Sequence, residues 1–190
     1  MRFALSTLAA CALSASAHAA GPASVVDTFT ATTANMTPEG LQLRIQILEW
    51  QDADARAEAV ASMAAGADAA TPLAKLPTVG YVWPSESPVG YSVKYAHREQ
   101  TAGGERITLV TDKRLGSYEF KGWSVASPVA QEVPYSVIEL YLAGPGAGSG
   151  TLSLVAEVML DEQAGSVALK DGAQAPALLA NVNRAATSPY

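Results

Sequence analysis

Apolar and polar positions alternate most cleanly at Leu41, Leu43, Ile45 and Ile47, with Gln42, Arg44 and Gln46 between them. A period of two marks a strand that buries one face. Upstream, residues 24–33 contain the run Val25-Val26-Asp27-Thr28-Phe29-Thr30, rich in β-branched side chains that suit a strand. Between the two, Asn35-Met36-Thr37-Pro38-Glu39-Gly40 has Pro and Gly where a turn needs them, so a hairpin is expected. The pattern then changes. Residues 52–66 are rich in Ala, Glu, Arg and Met with Val60 as their one β-branched residue, which predicts a helix. Asp52 and Asp54 stand where carboxylates cap free amides and oppose the positive end of the helix dipole, and Gly66 is a stop. A shorter helix is expected over 69–76, with Pro72 in its first turn and Pro77 ending it.

From Thr78 onward the chain reads as strands and turns. Strands are predicted at 79–83, 89–98, 106–111, 117–122, 135–143, 151–160, 166–169 and 177–183. Turns are predicted at 84–88, 102–104, 112–114, 144–150 and 161–165, with the Gly-rich run 144–150 read as a flexible loop and Gly103-Gly104 as a hairpin signal. Ten short strands with frequent turns predict a mainly β chain: a single antiparallel barrel or sandwich, with a short helical insertion (about 52–76) between the second and third strands. Neither a domain boundary nor an internal repeat is visible within 20–190.

The first nineteen residues have a different character. Met1-Arg2-Phe3 is followed by an uncharged, alanine-rich stretch and then by Ala17-His18-Ala19. A positive start, a short apolar middle and small residues on either side of one intervening position describe a secretory signal. The stretch is well short of the roughly 20 residues that a membrane-spanning helix needs. Cleavage is expected after Ala19 or one residue later, releasing a soluble domain into the periplasm or the extracellular space. Leu8-Ala9-Ala10-Cys11 also reads as a lipobox, which would make Cys11 a lipidated N-terminus. The cramped spacing from Arg2 to Cys11 favours cleavage after Ala19.

Processing at that point changes the chemistry available. It removes Cys11, the single cysteine, and one of two histidines, leaving His97. It also removes Arg2, so eighteen acidic residues face eleven basic ones, a net charge of −7. Without disulfides a conventional core must hold the fold, and about 150 residues suffice to bury some 68–70% of the unfolded surface. An acidic surface argues against nucleic acid or anionic membranes, both of which require positive charge. No later segment approaches transmembrane length, and with one histidine and no cysteine neither a metal nor any other cofactor is expected.

The stretch Trp83-Pro84-Ser85-Glu86-Ser87-Pro88-Val89-Gly90-Tyr91-Ser92-Val93-Lys94-Tyr95-Ala96, followed by Gly103-Gly104-Glu105-Arg106-Ile107 and Thr111-Asp112-Lys113-Arg114-Leu115-Gly116, resembles a group of exported bacterial β-rich proteins with no assigned activity. The resemblance covers most of the chain beyond the leader. It implies export and a single β-rich domain, and it carries no functional residue with it.

Motifs for catalysis are sparse. There is no Gly-x-Ser-x-Gly elbow, and the run 144–150 lacks the Lys and following helix of a phosphate loop. His97, between Tyr95 and Glu99 near a strand end, is more simply an exposed polar residue than a general base. The close carboxylate pairs Asp52/Asp54 and Asp161/Glu162 fall at a helix start and in a turn, where capping and solvation explain them. Strand carboxylates are more informative. Glu139 shares a face with Tyr135, Val137 and Tyr141, and Glu157 shares one with Ser153, Val155 and Met159. Arg44, Arg106, Tyr91 and Tyr95 fall on comparable faces.

One sheet face is therefore expected to gather Arg44, Tyr91, Tyr95, Arg106, Glu139, Tyr141 and Glu157. As a solvated outer surface it would pair opposite charges across strands at about 0.2–1 kcal/mol each. As a cupped, tyrosine-walled surface it would hold a ligand, with the helical insertion as a lid over the open end. The function expected is non-catalytic binding of a small apolar or mixed molecule, or of an envelope protein. The alternatives are a hydrolase or isomerase using the same carboxylates and tyrosines, and assembly through an exposed strand edge. Trp50, Trp83 and Trp123 lie at or just after strand ends; core packing explains them, and a shared rim would let them stack on sugars.

Overall fold

The computed structural model describes residues 24–35, 40–85, 87–116, 133–144, 148–153, 158–169 and 177–185. Strand β1 (Asp27–Thr33) pairs antiparallel with β2 (Gln42–Ile47), from Asp27 opposite Ile47 to Thr32 opposite Gln42. This register puts Phe29, Ala31, Leu43, Ile45 and Ile47 on one face and Thr28, Thr30, Thr32, Gln42, Arg44 and Gln46 on the other. The chain then enters helix α1 (Ala53–Met63), capped by Asp52, whose side chain accepts from the Ala55 amide at 2.9 Å. A 3-10 turn (Gly66–Asp68), with Gly66 at positive φ, leads to the short helix α2 (Ala70–Lys75).

Strands β3 (Gly80–Pro84), β4 (Tyr91–Thr101), β5 (Gly104–Thr111), β6 (Val137–Leu142), β7 (Gly148–Leu152), β8 (Val158–Asp161), β9 (Ser166–Leu169) and β10 (Ala177–Ala185) follow. Eight of them close into an antiparallel barrel in the order β1-β10-β7-β6-β5-β4-β3-β2, and β8 and β9 form a separate two-stranded ribbon. The fold is thus mainly β and a barrel rather than a sandwich, with the helices between the second and third strands. Closure pairs every barrel strand on both sides, which removes the free edges through which open sheets associate.

Two sequence expectations change. The single strand expected over 151–160 is two: β7 in the barrel wall and β8 in the ribbon. The run expected as a loop over 144–150 gives its last three residues, Gly148 to Gly150, to β7. Glycine is required there because β6 lies too close for a side chain. A Cβ on Gly150 would sit 2.5 Å from the Glu139 carbonyl oxygen, and one on Gly148 would overlap that of Tyr141. The strand expected at 117–122 and Trp123 lie outside the described residues.

The barrel interior is filled. Phe29, Leu43, Ile45, Ile47, Val82, Tyr91, Val93, Ile107, Leu109, Ile138, Leu140, Leu152 and Val182 are all at 0–1% exposure. An eight-stranded barrel is just wide enough for its own side chains to fill. A lumen with room for a ligand would leave these walls accessible to a molecule of water's size, and they are not. Each such side chain, fully buried, contributes about 1.5–3 kcal/mol.

A second core lies outside the wall. Ala59, Val60 and Met63 of α1, with Leu73 and Leu76, cover Tyr95, Val110, Val137 and the ribbon's Val167. The helical insertion therefore packs against the outer face of β4–β6 and is not a lid over the barrel's open end. A β-bulge in β4 makes this possible. Val93 opposes Thr111 while Tyr95 opposes Val110, so Lys94 is an extra residue. Tyr91 and Val93 point inward, Tyr95 joins the outer core, and Ala96 returns to the interior. The Lys94 ammonium donates to the Leu76 carbonyl at 2.8 Å and to Thr78 Oγ1 at 3.1 Å, tying the end of the helical segment to the wall.

Candidate functional site

Of the seven residues expected on one face, the six that are described do not share one environment. Tyr91 is inside the barrel, where its hydroxyl accepts from the Gly116 amide at 3.1 Å. The bulge that reverses the side-chain alternation explains why Tyr91 and Tyr95 part company. Tyr95 lies in the outer core and donates to the Gly165 carbonyl at 3.1 Å, and burial pushes its hydroxyl pKa up to about 12. Arg44 is exposed on the β2 wall. Glu157 lies outside the described residues.

Arg106, Glu139 and Tyr141 do come together, because Arg106 opposes Tyr141 and Thr108 opposes Glu139 in the β5–β6 register. Glu139 is 5% exposed. One of its oxygens accepts from the Tyr141 hydroxyl at 2.7 Å and the other from the Leu169 amide of β9 at 3.3 Å. Burial, then the hydrogen bond to Glu139, raises the Tyr141 pKa to about 12, so it stays a neutral donor. Arg106 is bridged to Glu99, its partner across the β4–β5 ladder. With both oxygens engaged, Glu139 works as a clamp that fastens the ribbon to the barrel wall. His97 stands beside this cluster, 6.4 Å from the Tyr95 ring and edge-on to it. Burial, followed by the Arg56 guanidinium, lowers its pKa.

Sequence reasoning missed a second cluster, at the barrel mouth where β1 begins and β10 ends. Asp27 accepts from Trp50 Nε1 at 3.0 Å and from Arg184 Nε at 3.1 Å, and Arg98 lies 3.7 Å away. Arg184 also donates to Glu105 at 2.7 Å, so one guanidinium spans from β1 to β5 across the opening. Arg98 stacks on Trp50 at 5.0 Å and Arg184 on Phe29 at 5.0 Å. Asp27, Arg98, Glu105 and Arg184 share the inward parity of their strands, and the clue was charged residues at the ends of otherwise apolar alternations. They close the mouth over the core below.

Trp83 lies at the opposite end of β3 from that mouth, so Trp50 and Trp83 share no rim. Trp83 is half-buried on the outer wall, directly opposite Arg44, whose guanidinium sits 4.8 Å from its ring centre. Tyr81 adjoins it at 5.2 Å and 40°.

No helix among the described residues is long and apolar enough to cross a membrane, and no group of three or more His, Cys, Asp or Glu residues among them could hold a metal ion. Comparison with family models, with curated proteins and with solved structures returns no match.

Proposed function

We propose that this is an exported, non-catalytic binding protein of the cell envelope that holds its ligand or partner on the outer wall of the barrel. The contrast between the two faces of the same strands carries the reading. The inward face is filled to exclusion of water, while Arg44, Tyr81 and Trp83 on the outward face of β2 and β3 belong to neither buried core. A small apolar ligand would need an apolar recess, and the buried apolar side chains of the described strands are packed into the two cores, while Met159 of β8 and Leu178 of β10 stand exposed and singly. Both oxygens of Glu139 are committed to holding the ribbon, which weighs against its use as a catalytic acid or base. Export is supported by the charged start, the apolar stretch and Ala17-His18-Ala19 in the leader, and by the resemblance to exported β-rich proteins.

Native mass spectrometry of the protein purified from the periplasm of cells exporting the full chain tests this. The expected result is a chain beginning near Ala20 carrying an additional mass that denaturation releases. A bare chain in every preparation, unchanged by incubation with an envelope extract, would sink the reading.

A further inference from the structure

The outer wall of β1, β2 and β3 is a grid. Cross-strand register sets Thr28, Gln46 and Tyr81 in one row, and Thr30, Arg44 and Trp83 in the next. Strands in a sheet lie about 4.8 Å apart and same-face residues about 6.6 Å apart along a strand. Each row thus runs from a hydroxyl, through an amide or guanidinium, to an aromatic ring over about 10 Å. Thr30 and Arg44 are exposed, and Thr28, Gln46, Tyr81 and Trp83 are half-exposed.

We propose that this face binds a polysaccharide chain, a proposal that rests on the binding reading above and names its ligand class. The chemistry of the face selects for it by what it contains. Sugar hydroxyls need donors and acceptors together, which threonine hydroxyls and glutamine amides supply. Sugar C–H faces pack on aromatic carbon, which Trp83 and Tyr81 supply. A folded protein partner wants its aromatic anchors at a dry centre ringed by further contacts, whereas Trp83 and Tyr81 lie along one side of this patch and threonine, glutamine and arginine make up the rest. Nucleic acid wants several cations, and Arg44 is the single formal charge among the six. Although the protein as a whole is acidic, the face has no carboxylate in these rows to repel an acidic sugar.

The aromatic part is also pre-set. A Cβ on Gly90 would come within 2.7 Å of the Trp83 indole, so the absence of a side chain at Gly90 is what lets the ring rest there. Arg44 holds the ring from β2 at 4.8 Å. Fixing the ring before binding lowers the ordering cost that binding would otherwise carry. Among the described residues no carboxylate or carbonyl accepts from Arg44, which leaves its N–H groups for ligand oxygens.

Two assays with three probes test this. One is co-sedimentation with purified peptidoglycan sacculi. The other is retardation in native gels containing a soluble neutral glucan or the acidic polysaccharide alginate. The wild-type chain should be retained by at least one probe, and Trp83→Ala should weaken that retention at least tenfold with an unchanged circular dichroism spectrum. Thr30→Glu, at an exposed position outside both cores, should do the same by placing a charge in the middle row; it covers the case in which Trp83→Ala does not fold. Which probe retains the protein separates wall glycan from free polysaccharide. Failure of all three probes, or retention unaltered in both variants, overturns the proposal. If retention fails while native mass spectrometry still finds a bound mass, the glycan assignment falls and the binding reading stands.

Discussion

Replacing Gly150 with alanine should destabilise the barrel, although Gly→Ala in a strand ordinarily does the reverse. Where the backbone is compatible, the exchange adds about 0.4–1 kcal/mol by restricting the unfolded chain. At Gly150 the new Cβ would lie 2.5 Å from the Glu139 carbonyl oxygen and 3.1 Å from Leu140 Cδ2. Ordinary contact begins near 3.4 Å, so β7 must retreat from β6 by up to about 0.9 Å, in a wall packed at crystal-like density. Overpacking of this kind costs about 1–3 kcal/mol. The pairing of Leu140 with Gly150 and of Glu139 with Thr151 would be stretched with it, at about 1 kcal/mol for each hydrogen bond weakened. The net expectation is a loss of about 2–4 kcal/mol, or a fall in melting temperature of about 5–15 °C for a domain of this size. Gly103→Ala is the control, since a Cβ there meets nothing nearer than Thr101 Oγ1 at 4.0 Å. It should stay within about 0.5 kcal/mol of wild type. Thermal and urea unfolding of the three proteins give the comparison. A Gly150→Ala protein as stable as the Gly103→Ala protein would refute the close approach of β6 and β7.

Two further outcomes follow from the mouth cluster and the outer wall. Asp27→Ala strands the Trp50 indole N–H and removes one of two carboxylates from Arg184. Arg98 is half-exposed and its pairing counts for little, so the expected loss is about 1–3 kcal/mol in urea, from the hydrogen bonds. Trp50 emission should shift to the red, and an unchanged unfolding midpoint would count against the cluster as a closure. His97 has its pKa lowered by burial and by Arg56, with Glu99 opposing and Arg106 adding to the effect. The unfolded chain therefore takes up the proton first. The contribution of neutral His97 is fully present above about pH 6.5 and is lost as pH falls towards the folded value. His97→Gln should show a flatter fall in melting temperature between about pH 7.5 and 5.5, and parallel curves for the two proteins would rule the effect out.

The legible parts of this chain were those governed by local alternation and composition. Leu41 to Ile47, the helix capped by Asp52, and the 161–165 turn with β9 behind it could be read directly, because periodicity and capping act over a few residues. Candidate residues on regular strands kept their register, as Arg106, Glu139 and Tyr141 did. Tyr91 and Tyr95 did not, because one extra residue at Lys94 reverses the alternation and leaves no mark in composition. The glycines of β7 read as loop for a related reason. Gly148 and Gly150 are needed by the neighbouring strand's carbonyls, not by their own segment.

Local side-chain chemistry therefore determined that this chain would be built mainly of strands with one helical insertion, and where most of those elements begin and end. Only the closed tertiary structure decided which face of each strand is inside. It also decided that the helices pack on the wall instead of covering the mouth, and that Asp27, Glu105 and Arg184 meet across the opening. Those outcomes depend on contacts between residues far apart in sequence. Barrel closure and the register shifts in β4 and β10 fix them, and neither is encoded in a window of neighbouring side chains.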